Sequence, residues 1–323
     1  MNAKENKNYA DIPQELFVPA QVDLGERERI SRPSLTAWQD GWLRLKQNKA
    51  AVVSLFIIIV IVALALLAPI FSPYDFAQTD YSAIYHPPSA AHLFGTDGFG
   101  RDQFTRIWYG TRISLLIGFV AACLDLFVGV TYGAVSALMG GKVDAIMQRI
   151  IEVLVGIPHL IIVILLMMVL PAGVGTIIVA LAITGWVNMA RLVRARILQL
   201  KGQEFVMAAQ VLGTSQKNII LRHLIPNTVG VIVINAMFTI PSAIFTEAFL
   251  SFIGIGLSEP KASLGVLINN GYSVLQNSPY LLICPAIVIV LIMVCFSILG
   301  DGLRDALDPR MSKIGRASCR ERV

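Results

Sequence analysis

The stretch "AVVSLFIIIVIVALALLAPIF" (Ala51–Phe71) holds twenty-one residues and no charge. At 1.5 Å per residue a helix of this length measures about 31 Å, which matches a bilayer core of about 30 Å. Nothing in water would reward so long a run of Val, Ile and Leu without an alternating polar face. The stretch reads as a membrane-spanning helix. The whole chain agrees: of its 323 residues, 55% are hydrophobic and 15% are charged, against about 25% charge in a typical soluble domain. A secretory signal is not expected, because a polar stretch of nearly fifty residues precedes the first apolar run.

Outward from that helix, apolar runs separated by polar gaps predict six spans, near 51–72, 112–139, 146–171, 174–193, 228–250 and 280–300. The fold class expected is all-α and polytopic. Lysine and arginine set the orientation. With the N-terminus inside, the inner segments hold Lys4, Lys7, Arg27, Arg29, Arg32, Arg44, Lys46, Lys49, Lys142, Arg149, Arg191, Arg194, Arg196, Lys201, Lys217, Arg222 and the basic tail. The outer segments hold Arg101, Arg106, Arg112 and Lys261. The bias places both termini in the cytoplasm. The net charge of +5 then reflects topology and anionic headgroups, not nucleic acid.

The expected organisation runs from a cytoplasmic arm over 1–50, through a first span at 51–72 and an outer loop at 73–111, to a membrane core over 112–303. A tail over 304–323 follows. Within the arm, Arg32–Lys49 reads as an interfacial helix with Trp38, Trp42 and Leu45 at helical spacing. Residues 314–323 are polar and basic with a lone cysteine, and read as a sequence scar. The outer segments Pro73–Thr111 and Ser251–Pro279 are each long enough for a lid or a docking surface.

Chemistry-bearing motifs are missing. No G-x-x-x-x-G-K-[ST] loop, H-E-x-x-H or G-x-S-x-G occurs. Cys123, Cys284, Cys295 and Cys319 have no metal-ligand spacing, and His86, His92, His159 and His223 are scattered. No cofactor or metal is expected, and no catalysis by this chain. Inside the spans, Asp125 is the acid closest to a midplane, with no basic residue placed to pair with it. Glu152, Asn188, Asn235 and Glu247 complete a set too thin for a proton relay. Asp125 is therefore expected to face a subunit interface or a wet cavity.

One inner segment does not look like a simple connector. "EFVMAAQVLGTSQKNIILRHLIPN" (Glu204–Asn227) reads as a short amphipathic helix, a glycine, and a second short helix ending at Ile225 before Pro226. On a helical wheel Phe205, Val206, Ala208, Ala209, Leu212 and Gly213 form one apolar arc, with Glu204 and Gln210 opposite. Gly213 suits a left-handed helix end, and Thr214 or Ser215 suits the next N-cap. A helix resting on headgroups and a helix docking into a partner's groove both fit this pattern.

"AAQVLG" (Ala208–Gly213) followed by "LIP" (Leu224–Pro226) resembles the EAA loop of ABC importer permeases. The chain also resembles the dipeptide and oligopeptide permeases in "FGTDGFGRDQFTRIWYGTRISL" (Phe94–Leu115), "EAFLSFIGIGL" (Glu247–Leu257) and "GDGLRDALDPR" (Gly300–Arg310). "LFVPAQVD" and "ISRPSLTAWQDGWLRLKQNK" are similar to the N-terminal arm of the C-type oligopeptide permeases of Gram-positive bacteria. The resemblance implies a type I importer permease fold in a bacterial plasma membrane. It implies a homologous second permease, two ATP-binding subunits and an extracellular peptide-binding lipoprotein as partners. It assigns ATPase coupling to the loop 204–226, hence to Glu204, Phe205, Met207, Ala208, Ala209, Leu212, Gly213 and Pro226. Met207 stands where the pattern has an acid, and Glu204 lies one turn earlier. Cargo stays open among oligopeptides, dipeptides, nickel, glutathione and antimicrobial peptides, and a gradient-driven carrier using Asp125 and a membrane scaffold without transport remain the readings from other classes. The same motifs have plain local readings: Gly95, Gly98 and Gly100 for tight turns, Asp97, Arg101 and Asp102 for local pairing. Asp301, Arg304, Asp305 and Asp308 would cap and bridge the end of the last span.

Overall fold

The computed structural model describes residues 37–307, all-helical apart from turns and one isolated bridge between Thr96 and Asp102. The arm before residue 37, the Trp38 side chain, Asp308 and the segment 314–323 lie outside the described residues. Helix α1 (Ala37–Gln47) leads into α2 (Lys49–Phe71), which Asn48 caps by accepting a bond from the Ala51 amide. Then follow α3 (Gln103–Met139), α4 (Gly141–Gly156), α5 (His159–Val169) and α6 (Val174–Lys201). The elbow holds α7 (Glu204–Val211) and α8 (Gln216–Ile219), and α9 (Ile225–Phe252), α10 (Leu264–Ser273) and α11 (Tyr280–Leu307) complete the order.

Five helices are long and apolar enough to cross a membrane, and the pair α4 and α5 makes a sixth crossing only if counted as one bent span. The continuous third span expected over 146–171 is thus corrected: its halves meet at 78°. Pro158 causes the break. It has no N–H to give and it forces the residue before it out of the helical region, so Ile157 is extended at φ −102° and ψ 128°. A new helix starts where the Ile161 amide bonds to the Pro158 carbonyl.

Other boundaries also shift. The helix that carries the second span begins at Gln103, ahead of the span expected from 112, because Asp102 caps it through the Thr105 amide. The loop expected over 73–111 is correspondingly shorter. The last span runs on to Leu307, and Leu45 of α1 packs against its end beside Ala306. Trp42, expected on the same face as Leu45, is half exposed. Asp301, Arg304 and Asp305 face outward and form no ion pair with any described residue, so the expected bridging is not seen there.

Lipid offers apolar surfaces no reason to leave it, so close backbone approach has to hold the bundle together. The most extensive packing joins α3 to α6, where Gly129 and Gly133 form a small-residue face. A methyl group at Gly133 would come within 2.4 Å of the Ala190 carbonyl. The three largest apolar clusters among the described residues centre on Ile107 and Ile292, on Ile117 and Ile177, and on Val193 and Ile232.

Candidate functional site: a docking elbow and a polar cavity

The elbow forms at Gly213, whose φ is +77°. The amides of Gly213 and Thr214 bond back to the carbonyls of Gln210 and Ala209, at 2.9 and 3.0 Å. Ser215 then caps α8 by accepting from the Asn218 amide. Pro226, however, marks no break. From Gln216 to Phe252 the chain is one rod of 37 residues, with a π-helical turn at Ile220–Leu224 and Pro226 tolerated in the first turn of α9. The predicted two-helix elbow followed by a separate span is corrected to one short helix and one long one.

The apolar arc of α7 divides between two surfaces. Val206 is fully buried and Ala209 is 8% exposed; both pack inward with Ala137, Val193 and Ile219. Glu204, Phe205, Met207, Ala208, Val211, Leu212 and Gly213 stay exposed. Val211 and Leu212 are 87% and 84% exposed, at the tip. Ala209 therefore anchors the elbow to the bundle and does not share the outward face. Pro226 is also exposed.

A cavity of about 460 Å³, open on one side, lies beside the Pro158 break. Helices α3, α4, α6 and α9 and the break itself supply its walls. Asp125, Thr184, Asn188, Asn235 and Thr239 give it a polar lining, without a lysine or arginine. His159 makes a short contact through Nδ1 with the Thr184 hydroxyl. Non-helical backbone at membrane depth is tolerated where it lines such a cavity. Asp125 thus lines a cavity with a partly polar wall. Glu152 instead pairs with Arg149 on an exposed face. Glu247 is fully buried, and its carboxylate accepts from Ser114 and Ser251, both at 2.8 Å.

At the end of the bundle away from the elbow, the loop before α3 is ordered by Asp97, Arg101 and Asp102. The Arg101 guanidinium donates to Asp97 at 2.7 Å, and Asp102 contacts His92 at 3.0 Å. Arg101 also reaches Glu259 at 3.0 Å, and Asn270 joins it. This ties the segment 73–102 to the loop before α10, which no local pattern announces. Burial opposes the charge of Glu259, yet the hydrogen bonds and charge of Arg101 prevail and hold its carboxyl below the ordinary range. Arg106 is fully buried below them, bonded to the Phe76 carbonyl at 3.0 Å.

At the elbow end, Arg194 of α6 holds Asp144 of α4 through Nε at 2.6 Å. That pair fixes the lower half of the bent span. The break at Pro158 was legible in "VGIPH" (Val155–His159), a glycine and a proline inside a continuous apolar run. The Arg101–Glu259 pairing and the inward turn of Val206 carried no such signal.

Comparison with known proteins agrees with this architecture. The family described as binding-protein-dependent transport system inner membrane component matches residues 129–313. A second, described as the N-terminal TM domain of oligopeptide transport permease C, matches residues 36–88. The chain is 48% identical to the oligopeptide transport system permease protein OppC of Bacillus subtilis, over 94% of this chain and 99% of that one. It is 47% identical to the dipeptide transport system permease protein DppC of the same organism, over 96% and 97%. Among solved structures, an inward-facing form of the MetNI methionine ABC transporter aligns with a TM-score of 0.53 at 17% identity. That alignment covers 62% of this chain and 94% of that one, and supports the fold. The chain is an integral membrane protein, and it belongs to the family of binding-protein-dependent transport system inner membrane components, among the oligopeptide and dipeptide transport permeases.

Proposed function

We propose that this chain is the C-type permease subunit of an ATP-driven oligopeptide importer in a bacterial plasma membrane, with both termini cytoplasmic. One observation carries the proposal: near-full-length relationship to an oligopeptide permease, at 48% identity. In this account a homologous permease closes the open side of the cavity, and two ATP-binding subunits sit on the elbow end. An extracellular peptide-binding lipoprotein delivers cargo at the other end. Lipid surrounds the rest, and the chain itself catalyses nothing.

The transmission follows from how the elbow is built. Phe205, Met207, Ala208, Val211 and Leu212 offer an exposed apolar tip to an ATPase groove. Met207 makes that contact apolar, and Glu204 is the carboxylate left on the first turn of α7. Val206 and Ala209 couple the elbow to α3 and α6. The rod Gln216–Phe252 carries its movement directly to Asn235 and Thr239 in the cavity wall. A shift at the tip thus becomes a tilt of α9, and the path rocks between inward and outward access. Gly213 is the hinge, while Pro226 preserves continuity.

The test is uptake of labelled peptides of graded length into cells that lack this chain and cells in which it is restored. Restoration should bring back ATP-dependent uptake of peptides of three residues and longer. Restored uptake confined to dipeptides would transfer the assignment to the cargo named for the 47% identical relative. Uptake abolished by collapsing the ion gradient, with ATP maintained, would overturn the ATP-driven account.

A further inference from the structure

We propose that Asp125 is the cation-binding residue of the translocation path, and that its carboxylate receives the primary ammonium at the amino end of a peptide in transit. The inference rests on the peptide-importer reading above and names a substrate contact within it. Asp125 is 5% exposed, and its Oδ1 is buried without a hydrogen-bond partner. No ion pair among the described residues involves it. A carboxylate taken out of water without a counter-charge is strongly disfavoured, so the site is incomplete as it stands. Its open side is the cavity, where no lysine or arginine is available to complete it.

The carboxylate is seated closely against α6, in the room that a missing side chain leaves. Gly185 lies opposite on α6, and a methyl group there would come within 2.4 Å of Oδ2. An ammonium has three N–H donors that point apart, and one carboxylate cannot reach all three. Asn188, Asn235 and Thr239 line the same cavity with amide and hydroxyl oxygens. His159, the one other titratable side chain of the lining, is engaged with Thr184. The cavity thus offers a charge to the amino end of a zwitterionic peptide and no cation to its carboxylate. Cargo would enter this half of the path by its amino end.

The experiment compares uptake of labelled trialanine and its N-acetylated twin, in vesicles carrying the complete transporter with its binding protein. The readout is the ratio of free-amine to acetylated uptake, which cancels expression and assembly. Asp125→Asn should lower that ratio by about tenfold or more, as loss of a desolvated charge pair does. Gly185→Ala, which keeps the charge but crowds Oδ2, should lower it in the same direction and decides the matter if the first variant fails to assemble. A ratio equal to wild type in the assembled variants would overturn the proposal while leaving the importer reading intact. Equal loss of both peptides would also overturn it, by making Asp125 structural. Wild-type vesicles that import neither peptide would overturn the importer reading and this inference with it.

Discussion

Gly213 allows the elbow's shape to be varied without touching its surface. Its φ is +77°, and a side chain added there would meet nothing within 4 Å. Any cost of substitution is therefore backbone strain alone. For an ordinary L-residue that strain is about 1–2 kcal/mol, less for asparagine, whose short polar side chain suits the left-handed region. A β-branched residue is a stronger outlier there. If docking requires the elbow as built, the strain appears as lost affinity for the ATP-binding subunit, roughly 5- to 30-fold for Ala. The expected order of affinity is Gly, then Asn, then Ala, then Val. The assay is titration of purified ATP-binding subunit onto the solubilised permease pair, with amide hydrogen exchange across residues 204–216 as the local check. Exchange should quicken in the same order. Equal affinity for Gly213→Val and wild type would refute the claim that elbow geometry sets docking.

Two further outcomes are expected. Glu259 has its carboxyl held below the ordinary value of 4.5. Its pairing with Arg101 therefore stabilises the fold above pH 4.5, and the benefit fades as pH falls through the depressed value. The gap in thermal stability between wild type and Glu259→Gln should be present at pH 7 and shrink under acid; a gap flat with pH would remove the ion pair as its cause. Pro158→Ala restores an N–H at the bend and lets the helical bonds resume, a gain of about 1–3 kcal/mol for a straightened α4–α5. Peptide uptake should fall roughly tenfold with the membrane level unchanged, and full uptake would mean that the bend is not needed.

Much of this molecule could be read from residue order, and the reasons are physical. Spans such as Ala51–Phe71 declare themselves because lipid tolerates no unpaired backbone, so apolar length alone implies a helix. Gly213 and Ser215 act within one turn of themselves, and Asp97 and Arg101 are four residues apart. Asp125 lacked any partner in its span and lines a polar cavity, in keeping with its setting in the sequence. What stayed hidden depends on distance or direction. Glu259 is 158 residues from Arg101, and no periodicity links them. A wheel places Val206 and Ala209 on the arc with Leu212, but only packing against Val193 shows that they turn inward. The break at Pro158 was by contrast written locally, in a missing N–H, and only averaging hydropathy over the run passed it by. Pro226 misled the other way, since a proline in a first helical turn costs nothing.

The central claim, that the tip of α7 is where this subunit receives work from an ATPase, is most directly tested by site-specific photo-crosslinking in the assembled transporter. A photoreactive residue at Leu212, 84% exposed, should crosslink to the ATP-binding subunit, and its yield should change between nucleotide-free and ATP-bound states. The same group at Val206, fully buried, should crosslink only within this chain. Crosslinks from Leu212 to lipid alone, in a transporter that still imports peptide, would contradict the account.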